Sequence, residues 1–269
     1  MSGAYVAREL APAGLRSGPR FFSNNTARAG LRLLRSRAGA SSLATWFSVP
    51  WSFVMKILPL LLVLSLPLAH ADDGDDAPLV INGCSIAEHS QCPGANLKGA
   101  NLRNQNLSGM NLAGADLRDA DLRHANLDLA NLEKAQLQGA NLTRASLQQA
   151  NLRLADFTGA TLMAVQGWGL FAQGAQFENA NLSAAYLQFA RLSGAKMHKA
   201  NLRAADLEMT WLSKADLQGA DLSDANLQEA KFGESNLEKA TLTGSRQHYA
   251  NFQDANMEGC KDCPTTWDR

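Results

Sequence analysis

Between Ala95 and Gly259 an apolar residue returns at every fifth position, and the run begins ANLKG ANLRN QNLSG MNLAG ADLRD. Thirty-three pentapeptides follow without an insertion, and the third position is Leu, Phe or Met in 30 of them. The first position is Ala in 26; the second is most often Asn or Asp, the fourth mostly polar, the fifth often Gly, Ala or polar. Neither regular element accepts this period. On a helix a step of five advances roughly 500° and scatters Leu around the circumference. On one long strand an odd step sends successive Leu to opposite faces. Within a unit, however, Ala95 and Leu97 stand two apart and share a face in extended chain. The pattern predicts one short extended side per unit, then a bend in the fourth and fifth residues that resets parity. Several sides close a coil, and coils stacked about 4.8 Å apart pair their backbones above and below. Each interior Leu is worth roughly 2 kcal/mol of burial, a core that no single repeat could assemble.

The A-(N/D)-L-x-x pattern resembles the pentapeptide repeat family, and the resemblance covers residues 95–259. It implies four sides to each coil: an all-β, right-handed quadrilateral parallel β-helix, a solenoid of about eight coils with short capping segments. With four sides the centres sort into four columns. The second runs from Leu102 to Leu242 by steps of 20 with Leu throughout; the third is broken by Gly167 and Gln247, the fourth by Ala172. Two neighbouring units, VQGWG and LFAQG at 165–174, thus depart together. There Leu170 replaces the small Ala, while Trp168 and Phe171 take outward positions. Tyr186, Phe189, Met209 and Trp211 fall on the same edge, between the third and fourth sides, as do Leu129 and Tyr249. A contiguous exposed apolar strip marks an interaction site, and aromatics and Met are enriched at such sites. Trp168, Phe171, Tyr186, Phe189, Met209 and Trp211 are therefore the candidate protein-binding edge, with a small-ligand groove as a lesser use of the strip. Two arrangements stay open: residues 165–174 remain in the coil, or they bulge out, cover these side chains and shift the later columns by two sides.

Charge changes the picture only once it is divided. Residues 1–71 hold eight Lys or Arg against Glu9 alone, and the remainder holds 17 bases and 24 acids. The boundary follows MKILPLLLVLSLPLAHA, Met55 to Ala71: one Lys, an apolar run, small residues around His70, then DDGDD. That is the layout of a secretory signal cleaved after Ala71. The run is too short and too interrupted by Pro for a span of about 20 residues. The mature chain is thus expected in the periplasm or secreted, with no stable membrane span after cleavage. Residues 1–54, with seven Arg and one acid, read as an upstream extension ahead of a true start at Met55, or an unstructured leader. Residues 72–94 form an acidic start and N-terminal cap; 260–269 form a C-terminal cap, with Trp267 over the last coil.

Cys84 and Cys92 precede the repeats; Cys260 and Cys263 follow them. A stack of eight coils separates the two pairs by about 40 Å, while a disulfide needs Cα atoms within about 7 Å. Any bridge inside one chain is local, Cys84 with Cys92 and Cys260 with Cys263, and a four-Cys zinc site within one chain is excluded. CKDC also admits an idle or metal-binding thiol pair, or a redox motif. His89, His124, His198 and His248 lack catalytic or ligand spacing, and Asp recurs because the second position admits it. No catalytic, cofactor or metal residue is assigned, no cofactor is expected, and an enzyme is not expected. Some members of the family mimic B-form DNA and bind DNA gyrase. The repeats here hold 17 acids and 15 bases, far from the dense charge of a duplex, and the bases show no one-sided run that would favour nucleic acid. The sequence points to a non-enzymatic exported binding or scaffolding module whose partner is another protein or a second copy. A cytosolic, gyrase-directed DNA mimic is the alternative.

Overall fold

The computed structural model describes residues 78–265. The expected signal at 55–71, the upstream residues 1–54, the acidic residues 72–77 and Trp267 lie outside the described residues. Each pentapeptide forms one short side, and its second residue makes a parallel bridge to the residue 20 positions on. Asn96 pairs with Asp116, Asn101 with Asp121, Asn106 with Asn126 and Asn111 with Asn131; the same step continues to Thr241 and Lys261. Four units therefore complete a coil. The Leu182 N–H donates to the Asn201 carbonyl at 2.7 Å, so Leu182 and Leu202 stack one coil apart. Both are buried, as are almost all the Leu centres and the Ala that alternate with them.

Accounting for the five amides of a unit explains its composition. In 95–99 the Leu97 N–H donates to Asp116 and the Gly99 N–H to Arg118, each at 2.8 Å, and both acceptors lie in the next coil. Asp116 donates back to the Ala95 carbonyl at 2.9 Å, and the Ala100 N–H closes the bend onto Leu97 at 3.0 Å. The fourth residue's amide is left, facing outward. Asn96 Oδ1 accepts it from Lys98 at 3.3 Å. All twenty units with Asn or Asp in second place do the same. A short side-chain carbonyl two residues ahead of a turn amide is the local way to satisfy it. The fifth residue meets a different demand: it sits at positive φ, 64° at Gly99 and 57° at Asn104, as the third residue of a type II bend must.

Residues 165–174 stay in the coil. Gln166 bridges Ser146 and Tyr186, and Phe171 bridges Asn151 and Arg191. What changes is which position fills the interior. A Cβ on Gly167 would lie 2.5 Å from Leu170 Cδ2 and 2.8 Å from Leu187 Cδ2. Leu170, standing where Ala is usual, occupies the space a central Leu would take, and it is buried with Val165. Interiors tolerate such exchanges when total volume is kept, so no loop forms and the later columns keep their register. Elsewhere Phe replaces Leu in vertical pairs: Phe157 on Phe177 with centroids 5.0 Å apart, and Phe232 on Phe252 at 4.7 Å. One coil step is close to the spacing of stacked rings.

Both ends are closed by short segments. Strand β1 (Leu79–Ile81) pairs antiparallel with β2 (Cys84–Ile86), Leu79 opposite Ile86. The two-residue turn between them is Asn82-Gly83, at φ 50° and 83°, the Asn-Gly signature of a tight hairpin. Coil pairing then starts at Gln91 with Asn111, so SQCPG makes one more side ahead of Ala95, with Cys92 at its centre. Cys92 is buried and joined to the equally buried Cys84, Cα atoms 5.6 Å apart. At the far end Cys260 and Cys263 are joined, Cα atoms 5.8 Å apart. Gln247 breaks its column in the last coil, where the tail lies across the end: its Nε2 donates to the Asp262 carbonyl at 3.0 Å.

Candidate functional site

The six edge residues sit at the corner between the third and fourth sides, spread over three successive coils. Trp168, Tyr186, Phe189 and Trp211 are about half exposed, whereas Phe171 and Met209 are partly buried. Trp168 and Phe189, one coil apart, touch with centroids 5.9 Å apart. Phe171 lies between two guanidinium groups, Arg153 at 5.3 Å and Arg191 at 5.2 Å from its centroid. Trp211 pairs with the Arg191 backbone in the coil below it. Leu129 and Tyr249 share the corner column but stand apart from this cluster, since Gln149 and Gly169 separate Leu129 from Phe189, and Glu229 separates Tyr249 from Met209. Leu154, 52% exposed, was not singled out from the sequence; it leans over Gly174 beside Arg153.

Phe189 and Met209 hold the positive φ of the fifth position, 60° and 54°. A bulky side chain is held in that region at a cost of about 1–3 kcal/mol relative to ordinary backbone, and at Phe189 it is also about half exposed to water. Local stability would prefer Gly or Asn at both sites, as at Gly169 in the coil below Phe189.

The fourth side adds a feature that spans the edge. Its second positions are Asn111, Asn131 and Asn151, then Phe171, Arg191, Trp211 and Lys231, then Asn251. The first three form a ladder: Asn131 Nδ2 donates to Asn111 Oδ1 at 3.2 Å, and Asn151 Nδ2 to Asn131 Oδ1 at 3.0 Å. At Phe171 both the ladder and the turn caps stop. Among the described residues the turn amides of Gln173, Ser193, Ser213 and Gly233 have no protein acceptor. The same stretch of side carries Arg153, Arg191, Lys214 and Lys231 against one acid, Glu234, which pairs with Lys214 at 3.5 Å. This alignment of bases, invisible as a run in the sequence, is created by the 20-residue coil.

Away from the edge, polar pairs belong to the scaffold. Arg118 Nε and Nη2 donate to Asp116 at 2.8 and 2.6 Å, and this hydrogen-bonded guanidinium lowers the Asp116 carboxyl to about 2. Arg123 holds Asp121 below its ordinary value in the same manner, and Lys239 does so for Glu238. Gln188 and Asn226 engage Asp206 from the coils on either side, at 3.0 and 2.9 Å. The histidines are dispersed, and no group of metal-ligating side chains occurs among the described residues. A shallow hollow at the N-terminal end, lined by Leu79, Ile81, Asn101 and Arg103, brings no convergent chemistry together. No described helix is long and apolar enough to cross a membrane.

The family model described as pentapeptide repeats matches in eight copies, over residues 95–133, 135–162, 180–219, 212–244 and 220–259. The gap from 163 to 179 coincides with the irregular units. Among solved structures, a trypsin-treated form of QnrB1, a plasmid-mediated fluoroquinolone resistance protein, is similar at 22% identity and a TM-score of 0.53. That likeness covers 64% of this chain and 88% of QnrB1. HetL, a pentapeptide repeat protein involved in heterocyst differentiation regulation in the cyanobacterium Nostoc sp. strain PCC 7120, is 28% identical. It matches 64% of this chain and 89% of its own, with a TM-score of 0.43. A pentapeptide repeat protein of the Arabidopsis thaliana thylakoid lumen is also 28% identical, over 45% of this chain and 72% of its own, with a TM-score of 0.23. The comparison with curated proteins finds no match. The likeness to QnrB1 gives the coil its architecture, a right-handed quadrilateral β-helix. With family matches spanning most of its repeats and every coil closing after four units, this chain belongs to the pentapeptide repeat family.

Proposed function

We propose that this protein is a non-enzymatic binding or scaffolding module of the cell envelope, exported through the signal at 55–71, and that it engages a protein partner through its aromatic corner. One observation carries the reading: Trp168, Tyr186, Phe189 and Trp211 lie half exposed on successive coils of one corner. Trp and Tyr are the commonest anchors of protein interfaces. The positive φ at Phe189 and Met209 strengthens the point, because folding alone gives no reason for bulky apolar residues there. The DNA-mimic alternative is less well supported: the repeats are nearly neutral, and the face beside the aromatic corner is basic.

The test pairs localisation with association. Cell fractionation is expected to recover a chain that begins at Asp72 from the periplasm or medium. Phe189→Ser with Trp168→Ser is expected to reduce self-association in light scattering, or to lose a partner recovered from envelope extract. A full-length cytosolic chain that co-purifies with gyrase would reverse the assignment.

A further inference from the structure

We infer that the fourth side, from Phe171 to Gly233, is a binding site for an acidic polysaccharide, a glycan chain bearing carboxylates. The inference goes beyond the protein-binding reading of the corner. It shares Phe171 and Trp211 with that corner but rests mainly on other groups: the turn amides of Gln173, Ser193, Ser213 and Gly233 and the cations Arg153, Arg191 and Lys231.

Three observations converge on an anionic chain running along the solenoid axis. First, the turn amides of Gln173, Ser193, Ser213 and Gly233 stand open in one column over four successive coils, whereas on the other three sides open turn amides, such as those of Met163, Glu178 and His198, occur in runs of no more than two coils. Each occupies the place where an Asn or Asp oxygen serves elsewhere, as at Arg153 beneath Asn151 and Gln253 beneath Asn251. An outward backbone N–H without a protein acceptor bonds to solvent, and a ligand oxygen takes that place without breaking any bond within the protein. Second, Arg153, Arg191 and Lys231 form no ion pair among the described residues. Guanidinium groups suit carboxylates in paired, charge-assisted hydrogen bonds. Third, Trp211, 55% exposed, and Phe171 alternate with Arg191 and Lys231 at the second position, so flat apolar faces lie between the charges.

The spacing selects the kind of chain. Donors recur once per coil, at about 4.8 Å. A pyranose ring with its bridging oxygen advances a glycan by close to that step, so successive sugars meet equivalent donors. An extended peptide presents the same face only every second residue, about 6.8 Å apart, and drifts out of register within two coils. The indole face of Trp211 also matches the apolar face of a pyranose, whose hydroxyls remain at the rim to meet the Gln173, Ser193 and Ser213 side chains.

Polygalacturonate is the probe, with dextran as the neutral control and oligo(dT) as the non-glycan polyanion, in affinity electrophoresis of the purified chain. Retardation by polygalacturonate alone is expected, weakening as salt rises toward about 0.15 M, where screening acts over about 8 Å. Arg191→Gln with Lys231→Gln is expected to reduce affinity by about tenfold, or roughly 1.4 kcal/mol. Phe171→Asn, which restores a turn cap and a ladder rung, is expected to weaken binding while the protein stays folded by circular dichroism. Phe189→Ser should leave glycan binding unchanged. No retardation by polygalacturonate, equal retardation by oligo(dT), or full affinity in both the Arg191/Lys231 and Phe171 variants would each overturn the site. If polygalacturonate is ignored while Phe189→Ser still abolishes association, the glycan site falls and the protein-binding corner stands. If glycan binding persists while Phe189→Ser leaves association unchanged, the corner falls and the glycan site stands.

Discussion

At the scale of single residues, the second position is where stability and binding compete. Asn131 accepts the turn amide of Glu133 and also belongs to the ladder from Asn111 to Asn151. Asn131→Ala removes these bonds, and a loss of about 1–2 kcal/mol is expected in urea denaturation. Phe171→Asn works in reverse: it supplies an acceptor for Gln173 and extends the ladder beyond Asn151, so a gain of about 0.5–1 kcal/mol is expected in the same assay. A residue whose replacement stabilises the fold is a residue kept for something else. Asp116 offers a pH test. Its carboxyl titrates at about 2 against 3.8 in unfolded chain. A depressed carboxylate contributes stability that is full above the unfolded value and is lost as pH falls through the folded one, so the contribution should fade between about 4 and 2. In Arg118→Gln the Asp116 midpoint, followed by NMR, is expected to move up toward 3.8. The preference for Asn and Asp was plain in the sequence, but its cause was not, because the amide they serve is identified only when the other four have found partners.

At the scale of the element, the side at 165–169 tests whether volume or identity holds the coil. Leu170→Ala would leave the space beside Gly167 empty, and a loss of about 2–5 kcal/mol is expected. Gly167→Leu alone would drive a side chain into Leu170 and Leu187 and is expected to destabilise too. The double variant restores the common pattern and should recover most of the stability, a strong departure from additivity measurable in a double-mutant cycle. The cap can be tested separately: Cys84→Ser opens a short covalent loop to Cys92, 8 residues on, and a loss of about 2–3 kcal/mol is expected in thermal denaturation. The hairpin was legible in principle, since Asn82-Gly83 lies between LVI and CSI. The extra side at SQCPG was not, because Cys92 and Pro93 stand where Leu and a polar residue are usual, and only pairing with Asn111 reveals it.

At the scale of the whole molecule, the stack has two unlike ends. The amides of Leu227, Phe232 and Leu237 donate to the last coil, at Arg246, Asn251 and Asn256. The corresponding amides of Gln247, Phe252 and Met257 have no further coil to meet among the described residues. Hydrogen exchange is therefore expected to be faster at Gln247, Phe252 and Met257 than at their partners one coil earlier, with protection rising inward. Equal protection in both sets would mean that another surface covers this end. In a solenoid whose stability is a sum over neighbouring units, the last coil is also where unfolding is expected to begin.

The five-residue period by itself determined the side and the bend, because no other regular geometry keeps Ala and Leu on one face at that step. It also determined which residues face inward in the regular units, and it offered Trp168, Phe189 and Trp211 as outward positions while leaving open whether residues 165–174 cover them. The closure of the coil after four sides came from family likeness and was decided by the backbone, since the period constrains one bend and not how many bends close a ring. Tertiary structure alone decided that residues 165–174 stay in line, because the compensation runs between Leu170 and the space at Gly167, across a bend rather than along a column. It alone aligned Arg153, Arg191 and Lys231 beside open amides: residues some 40 positions apart fall on alternate coils of one side only when coils of 20 stack.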